Sequence, residues 1–385
     1  MTDELPYPEL GSEWASLRFQ KEEVLHLDTA ACGRTSHAVQ ARVATYLAHE
    51  AEVGGYVAEA SMASVFKNGR AGLGALIGFT AEDVAFTESA STAFVQLLAS
   101  WPLEKGDTVW ALRSDWGPSL AALIDRGLRV ELLDVDSRGV LDVDALERRL
   151  RHSRPALLHM TAALSHRAVL QPITECLVAC SSREVPVILD VAQAAGQFAV
   201  PEGVAAVYGT GRKFLCGPRG VGYLAVSKVW QPALHPRAPA LVVEAWPGED
   251  RLVRRLESRE AFIGGRAGLA VALGEFHEMG AGRIRARLDA IGRAGRRVLG
   301  NVPGWSACDP VGAPGAIISL EVASDYVDLA VVRAKLLRQK VVCSVAGRER
   351  APHHMTRPLL RFSPHIDVTL DDLEHVASCL KAASQ

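Results

Sequence analysis

Short apolar runs rich in β-branched residues alternate with amphipathic stretches from residue 84 onward. The apolar runs lie at Val84–Thr87, Thr108–Leu112, Val130–Val135, Ala156–Thr161, Val187–Val191, Ala205–Tyr208 and Val221–Val226. Helical periodicity falls between most of them, at Thr92–Ser100, Ser119–Arg126, Asp142–Arg151 and Ile173–Ser182. This alternation predicts βαβ units and a mostly parallel, doubly wound α/β sheet of seven strands. The last run follows its predecessor without a helix, so we expect that strand to be antiparallel.

The pattern changes after residue 228. The stretch WQPALHPRAPALVVEAWPGED is proline-rich and irregular, and Arg266–Gly300 then has the composition of one long helix. Strand and helix patterns resume at Gly315–Val322, Leu329–Arg338, Val341–Val345, Leu359–Ser363 and Leu370–Ala382. They predict a smaller α+β domain after the large one. We therefore divide the chain into an N-terminal segment (1–20), a large domain (21–250) and a small C-terminal domain (251–385).

Composition is that of an ordinary globular protein. The chain has 385 residues, too many for one compact core, with 22% charged residues and a net charge of −2. It has no basic tract of the kind that binds nucleic acid, no signal-peptide pattern and no membrane-spanning run. The seven cysteines are scattered, and Cys176 and Cys180 lack partners at zinc-binding spacing. We expect a cytoplasmic protein with reduced thiols and no metal site.

Polar residues follow several of the predicted strands, where an open parallel sheet binds its ligands. The sequence TESASTAF (87–94) opens a helix with small and hydroxylic residues, which suits either an anion cradle or an ordinary helix cap. Trp116 follows the second strand and is suited to stacking on a planar ligand or to burial in the core. Asp190 ends the fifth strand, with Gln193 three residues later. A carboxylate there needs a cationic partner, unless it caps a helix.

A single lysine, Lys213, lies between two glycine-rich turns in VYGTGRKFLCGPRGVGYLAV (207–226). Arg212 precedes it directly, and neighbouring positive charge lowers the pKa of an amine, which makes it a better nucleophile or base. A solvated loop lysine is the alternative. The stretch lacks the third glycine of G-x-G-x-x-G, and it is not a G-x-x-x-x-G-K-[ST] loop. Nucleotide binding is therefore disfavoured here.

The order of these features resembles that of the class V, fold-type I pyridoxal-phosphate enzymes. That family includes cysteine desulfurases, kynureninases and isopenicillin-epimerase-like proteins. The resemblance runs from LHLDTAACG (25–33), similar to the family's "YLDNAA" start, to LLRFSPHIDVT (359–369), similar to its "R-x-S-P-H" ending. It implies a fold-type I transferase fold, pyridoxal 5'-phosphate as cofactor, a small amino-acid substrate and a homodimer.

The resemblance also implies roles for individual residues. The cofactor phosphate would contact Ala90, Ser91, Thr210 and Arg212; Trp116 would stack on the pyridine ring, and Asp190 would pair with its nitrogen. Gln193, with Ser165, would contact the phenolic oxygen, and Lys213 would hold the cofactor as a Schiff base and act in catalysis. Substrate contacts would come from Arg361, which clamps the carboxylate, and from Tyr56, Ala31 and His166. The family's phosphate contact across the subunit interface falls near FIGGR (262–266), where Gly265 replaces a threonine.

The reaction depends on the loop before the carboxylate-binding arginine. A cysteine desulfurase carries a nucleophilic thiol there, but SVAGRERAPHHMT (344–356) has no cysteine, and Cys343 ends an apolar run predicted to be a strand. The chain most resembles the ergothioneine-biosynthetic carbon–sulfur lyases. That likeness implies β-elimination of hercynylcysteine sulfoxide to a sulfenic acid, which becomes ergothioneine, with pyruvate and ammonia. Tyr56, Glu52 and Glu59 would line a trimethylammonium site, or form a surface helix.

Other functions stay open on the sequence alone. The nearest are a class V desulfurase or an isopenicillin-N-epimerase-like enzyme, because the same cofactor residues serve them all. A dinucleotide-dependent oxidoreductase is less favoured, because G-x-G-x-x-G is missing after the first strand. A non-catalytic module that has kept the fold is disfavoured by the presence of Asp190, Lys213 and Arg361 together.

Overall fold

The structure is a computed structural model that describes residues 5–18, 24–235, 252–258, 260–324 and 326–384. Most of the proline-rich stretch predicted after residue 228 lies outside these ranges. The strands are β1 (Leu25–His26), β2 (Val84–Thr87), β3 (Thr108–Leu112), β4 (Arg129–Leu133), β5 (Leu157–Thr161), β6 (Val187–Asp190), β7 (Ala206–Thr210), β8 (Gly222–Val226), β9 (Trp305–Ala307), β10 (Ile318–Val322), β11 (Val341–Val342), β12 (Ser344–Ala346) and β13 (Leu359–Phe362).

The described α-helices surround these strands. They are α1 (Pro8–Ser16), α2 (Thr29–Cys32), α3 (His37–Val53), α4 (Gly55–Ser61), α5 (Ala63–Ile77), α6 (Ala90–Ser100), α7 (Gly117–Asp125), α8 (Val143–Leu150), α9 (Ile173–Ser181), α10 (Ile263–Glu278), α11 (Ala281–Gly300), α12 (Leu329–Arg338) and α13 (Leu370–Ala383). Short 3₁₀ turns occur at Ala81–Asp83, Gln231–Ala233, Leu252–Leu256 and Arg348–Arg350.

The large sheet has seven strands in the order β2-β8-β7-β6-β5-β3-β4. All neighbouring pairs are parallel except those of β8, which runs antiparallel to both β2 and β7. Strands β5, β6 and β7 are buried along their whole length, as expected when helices cover both faces of a parallel sheet. The predictions of a mostly parallel seven-stranded sheet and of an antiparallel last strand are confirmed.

The C-terminal part forms a second sheet, which is antiparallel and has the order β12-β13-β10-β9. Its apolar face packs with α11, α12 and α13 around residues such as Leu320, Leu336 and Phe362. This arrangement is the smaller α+β unit that the sequence predicts. The N-terminal part of the chain contacts it: β1 pairs in parallel with β11, and Asp28 forms an isolated bridge with Ser363. The proposed boundary between residues 250 and 251 stays a prediction.

Two predictions of local structure are wrong. The single helix expected over Arg266–Gly300 is two helices, α10 and α11, because Gly280 has φ 85° and this conformation breaks the helical path. The strand expected over Val341–Val345 is split into β11 and β12, with Cys343 between them, each pairing with a different partner. Apolar periodicity continues through both breaks, and this continuity hides them in the sequence.

The break at Gly280 gives a test of the fold. Replacing Gly280 by Ala should lower the free energy of unfolding by about 1 kcal/mol or more, because an L residue is strained at this φ. Replacing Gly282 by Ala is the matched control: it lies inside α11 with open space around it, so added helix propensity should leave stability unchanged or slightly raised. Denaturant unfolding followed by circular dichroism measures both. Equal effects of the two changes would contradict the assigned break.

Candidate active site at the carboxyl edge of the sheet

The carboxyl ends of the central strands bring together most of the residues predicted to form a site. Thr161 at the end of β5 is level with Asp190 at the end of β6, and Asp190 is level with Tyr208 in β7. The turn from β7 to β8 then carries Lys213 past the same edge. The parallel register therefore assembles the site from distant parts of the sequence.

The backbone around Lys213 is held by short contacts. Gly211 N–H donates to the Val221 carbonyl (3.0 Å), and Gly33 N–H donates to the Arg212 carbonyl (2.7 Å). A Cβ on Gly33 would lie 2.5 Å from the carbonyl oxygen of Lys213, so only glycine allows the N-terminal segment to approach this turn. The lysine is thus fixed from two sides by backbone, as its glycine-rich surroundings indicate.

Burial lowers the pKa of the Lys213 amine to about 7. The positive charges of Arg212, Arg361 and Arg350 contribute to this lowering of the pKa, while Asp190 acts in the opposite direction. Among the described residues no hydrogen bond or ion pair engages the Lys213 amine. A large fraction of this amine is therefore neutral at neutral pH, so it can act as a nucleophile or accept a proton.

Asp190 is 6% exposed and does not cap a helix, because residues 191–198 form turns. One of its oxygens accepts the Ala192 N–H (2.8 Å). Burial raises the pKa of the Asp190 carboxyl against the attraction of Lys213. A buried carboxyl with one hydrogen bond from the protein has capacity left for a cationic or N–H partner.

A series of buried polar side chains leads to Tyr208, which is level with Asp190 in the neighbouring strand. The Asp115 carboxylate contacts His159 Nδ1 (2.9 Å), His159 Nε2 contacts the Tyr208 hydroxyl (2.8 Å), and that hydroxyl contacts the Ser119 hydroxyl (2.8 Å). Burial and the charge of Asp190 raise the pKa of Tyr208 well above its usual value. Sequence reasoning missed this series, since its members look like ordinary strand and helix residues.

The N-terminus of α6 is where the sequence predicts either an anion cradle or a helix cap. Ser89 caps the helix by accepting the Thr92 N–H (3.0 Å), which leaves the N–H groups of Ala90 and Ser91 without a partner among the described residues. A Cβ on Gly222 would lie 2.3 Å from the Ser89 carbonyl carbon, so β8 approaches the cradle backbone to backbone. Ser89 therefore caps the helix, while two N–H groups stay available to an anion.

Gln193, predicted to contact the phenolic oxygen, lies in the turn after β6, and Thr210, predicted to contact the phosphate, ends β7. Gln193 is 3% exposed; its Nε2 donates to the Ala30 carbonyl (2.9 Å), and its Oε1 is buried without a hydrogen-bond partner in the described structure. Ala31 follows in the same short helix. The Thr210 hydroxyl donates to the Val221 carbonyl (3.2 Å). An unpartnered buried oxygen in the turn that follows β6 indicates a place for a polar ligand.

Trp116 is half-buried, and its backbone N–H donates to the Thr161 hydroxyl (3.0 Å). The Arg350 guanidinium carbon lies 5.6 Å from the centre of the Trp116 ring. Arg350 belongs to the 3₁₀ turn that follows β12, and sequence reasoning did not single it out. Trp116 is therefore at the site rather than in the core.

Arg361 is fully buried in β13 and is held by three parts of the chain. Its nitrogen atoms donate to Asp28 (3.0 Å), to the Ser344 hydroxyl (3.1 Å) and to the Ser165 carbonyl (2.8 Å). Burial, together with the charge of Arg350, lowers its pKa to about 10, so the group stays charged at neutral pH. Of the five N–H donors of a guanidinium, two are left for a further anion.

The rest of the R-x-S-P-H ending braces the same region. The Ser363 hydroxyl accepts the Ala30 N–H (3.0 Å), and His365 Nε2 lies 3.1 Å from the Phe214 carbonyl, directly after Lys213. Burial lowers the pKa of His365 to about 4, so its ring is neutral and Nε2 can donate. Each polar residue of this ending fixes a different segment of the site.

Other predicted contacts are placed less centrally. His166 is buried, with Nε2 3.3 Å from Nδ1 of His354, and burial lowers its pKa well below the usual value. Tyr56 is 69% exposed on α4, and no hydrogen bond or ring contact in the described ranges joins it to another predicted residue. At Gly265 a Cβ would lie 2.3 Å from the Phe262 ring, so a larger residue would not fit without a shift.

These residues fit pyridoxal phosphate. The free N–H groups of α6 and Arg212 suit a phosphate, the buried Asp190 suits a protonated ring nitrogen, and the unpartnered Gln193 oxygen suits a polar group of the cofactor. The family model for class-V aminotransferases matches residues 25–376 of the chain. The chain belongs to this family.

Relatives agree with this assignment. A protein of Mycobacterium tuberculosis (strain CDC 1551 / Oshkosh), named "Probable hercynylcysteine sulfoxide lyase", is 40% identical over 361 residues, 94% of this chain and 90% of that protein. The apo cysteine desulfurase of Thermococcus onnurineus NA1 has a TM-score of 0.84 at 18% identity, covering 97% of this chain and 98% of that one. The Escherichia coli cysteine desulfurase CsdA has a TM-score of 0.83 at 16% identity, covering 97% and 98%.

The predictions of fold, cofactor and enzyme family are thereby confirmed: the chain is a pyridoxal-phosphate-dependent enzyme of class V, and a relative of it is named as a lyase. No helix in the described part of the chain is long and apolar enough to cross a membrane. Within the same ranges, no group of three or more His, Cys, Asp or Glu residues is placed to hold a metal ion.

The lowered pKa of Lys213 predicts pH-dependent chemistry in the cofactor-free protein. Modification of Lys213 by trinitrobenzenesulfonate should be half-maximal near pH 7 and should fall as the pH drops through 7, because only the neutral amine reacts. Peptide mapping measures the rate at each lysine, and the exposed Lys105 serves as the internal comparison. Arg212→Gln should move the midpoint upward. A Lys213 midpoint near the ordinary 10.5 would contradict the desolvated site.

Proposed function

We propose that this enzyme cleaves the carbon–sulfur bond of a cysteine sulfoxide conjugate, hercynylcysteine sulfoxide, by β-elimination. The observation that carries the proposal is a poised lysine together with a loop before Arg361 that holds no thiol. Lys213 has a pKa of about 7, while loop 344–356 has no cysteine and Cys343 beside it is 1% exposed. The 40% identity to a probable hercynylcysteine sulfoxide lyase supports this choice of substrate.

The chain offers a holder for each part of the cofactor. The N–H groups of Ala90 and Ser91, with Thr210 and Arg212, would hold the phosphate, and Trp116 would cover the ring. Asp190 would keep the ring nitrogen protonated, and Gln193 with Ser165 would lie by the phenolic oxygen. Bound there, pyridoxal phosphate supplies an electron sink for a carbanion at Cα.

Two residues then act on the substrate. Arg361 would bind the α-carboxylate with its two remaining N–H donors, which fixes the direction of the Cα–H bond. Lys213 would take the Cα proton, since its neutral form is well populated at neutral pH. Ala31 and His166 would complete the wall around the substrate.

The atoms balance without a second catalyst. The Cα–H pair forms a Cα=Cβ bond, and the Cβ–S pair leaves on sulfur as a sulfenate, which takes up a proton. The remaining three-carbon fragment reacts with water to give pyruvate and ammonia. A sulfenate is a better leaving group than a thiolate, so no thiol nucleophile is needed. Conversion of the sulfenic acid to ergothioneine requires two electrons from a separate thiol reductant.

The surface of α3 and α4 supports a homodimer. Leu47, Val53, Tyr56 and Val57 are exposed apolar side chains on these neighbouring helices, and a second copy of the chain would cover them. In such a dimer Tyr56, with Glu52 and Glu59, would be available to a trimethylammonium group in the partner's site. The described cysteines are all free, which supports a cytoplasmic location.

A cysteine desulfurase is the second candidate, favoured by the fold neighbours. Burial raises the pKa of Cys343 to about 12, so its thiol stays protonated and shielded. Burial likewise raises the pKa of Cys216, the cysteine nearest Lys213 in the chain, to about 12. Neither residue has the environment of a reactive thiolate.

Product analysis separates the two candidates. Incubated with S-substituted cysteine sulfoxides, the loaded enzyme should release pyruvate, and Lys213→Ala should lower that rate by about 10³-fold or more. Cys343→Ala should leave the rate unchanged. Sulfide or alanine from cysteine, with no pyruvate from the sulfoxides, would refute the lyase proposal, as would loss of activity in Cys343→Ala.

A further inference from the structure

Arg350 is not among the residues proposed to bind cofactor or substrate, yet its position is tightly defined. It lies in the 3₁₀ turn Arg348–Arg350, and a Cβ on Gly117 would lie 2.2 Å from the carbonyl oxygen of Glu349. The turn therefore rests on the N-terminus of α7, next to Trp116. This close approach sets the guanidinium carbon 5.6 Å from the centre of the Trp116 ring.

Within the described residues the Arg350 guanidinium donates no hydrogen bond, and the carboxylates of Glu349 and Asp28 act on it only through their charge. Its Nε is buried and has no hydrogen-bond partner within the described structure. It lies over the Trp116 ring, and its positive charge lowers the pKa of Lys213, of Arg361 and of His166. A half-buried cation with an unpartnered donor costs free energy unless a ligand supplies an anion or an oxygen acceptor.

The other anionic parts of the reactants already have holders. The proposed cofactor phosphate has the N-terminus of α6 and Arg212, and the α-carboxylate has Arg361. Two groups of the proposed substrate are still without a counter-charge: the second carboxylate, on the hercynyl part, and the oxygen on sulfur. Of these, only the oxygen gains negative charge as the Cβ–S bond breaks. A guanidinium offers that oxygen two parallel N–H donors.

We propose that Arg350 is a catalytic residue that binds the sulfoxide oxygen of the substrate and stabilises the departing sulfenate. This inference rests on the proposed function and extends it to the leaving group. The electron pair of the Cβ–S bond moves to the S–O unit, and Arg350 pairs with the oxygen that carries the charge. Donors aimed at developing charge are among the largest contributions to catalysis.

Leaving groups with and without oxygen test this role. Arg350→Gln should lower kcat/KM for S-methylcysteine sulfoxide by about 10²–10³-fold, the usual effect of removing an oxyanion donor. Elimination of chloride from β-chloroalanine should change little, because chloride needs no such partner. Arg350→Lys should recover part of the sulfoxide activity. Arg348→Gln removes the same charge from the exposed neighbour on the same turn, and it should behave as wild type.

Several outcomes would overturn the assignment. Equal losses on β-chloroalanine and on the sulfoxide would place Arg350 in folding or in cofactor binding instead. A loss confined to sulfoxides whose sulfur substituent carries a second carboxylate, with S-methylcysteine sulfoxide unaffected, would make that carboxylate its ligand. Wild-type enzyme that eliminates chloride but yields no pyruvate from any sulfoxide would refute the proposed function itself.

A binding measurement tests the anion site apart from turnover. Methanesulfinate, a stable analogue of a small sulfenate, is titrated into the cofactor-loaded enzyme by calorimetry, with glycine present to occupy the carboxylate position. We expect weaker binding in Arg350→Gln and unchanged binding in Arg348→Gln. Equal affinity in wild type and Arg350→Gln would show that Arg350 binds no such oxyanion, whatever the enzyme's substrate proves to be.

Discussion

The structure depends on gathering more positive than negative charge at one poorly hydrated edge of the sheet. Arg212, Arg350, Arg361 and Lys213 influence one another there, and the carboxylates that offset their charge are those of Asp28, Asp190 and Glu349. Desolvation makes this arrangement costly, and the lysine relieves part of the cost by giving up its proton. An anionic cofactor and an anionic substrate supply the missing negative charge. Affinity for them and the reactivity of Lys213 therefore have one physical origin.

Hydrogen bonds and ion pairs of these buried arginines also link distant segments of the chain. The charge and N–H groups of Arg361 would lack partners without Asp28, which precedes α2, and the Ser165 carbonyl, which follows β5. Arg167 and Asp309 form a further ion pair (2.9 Å) between the β5–α9 loop and the residues after β9. Because a buried ion pair is costly to break, the two sheets are held at a fixed distance across the site.

Much of this could be predicted from the sequence, because it depends on local pattern. Apolar runs at strand spacing gave the seven strands, and the missing helix before Val221 indicated the antiparallel one. Asp190 and Lys213 stood out because a strand end and a glycine-rich turn are unusual places for charge. Arg350 and the linked side chains of Asp115, His159 and Tyr208 could not be recognised in the sequence, since their importance comes from contacts between distant segments. The break at Gly280 was hidden because the apolar periodicity continues on both sides of it.

The place of β8 in the sheet has a consequence for how the protein folds. Val84–Thr87 joins the sheet only through Gly222–Val226, which lies between it and Ala206–Thr210. Strand β2 can therefore join the sheet only after a strand made more than a hundred residues later, and the bridge of Asp28 can form only after Ser363 has been made. Contacts of such long sequence separation form slowly. On the ribosome, the contacts of Ser363 with Ala30 and of His365 with Phe214 would form only after all the residues proposed to hold the cofactor had been made, so the bracing of the pocket follows the folding of the large sheet.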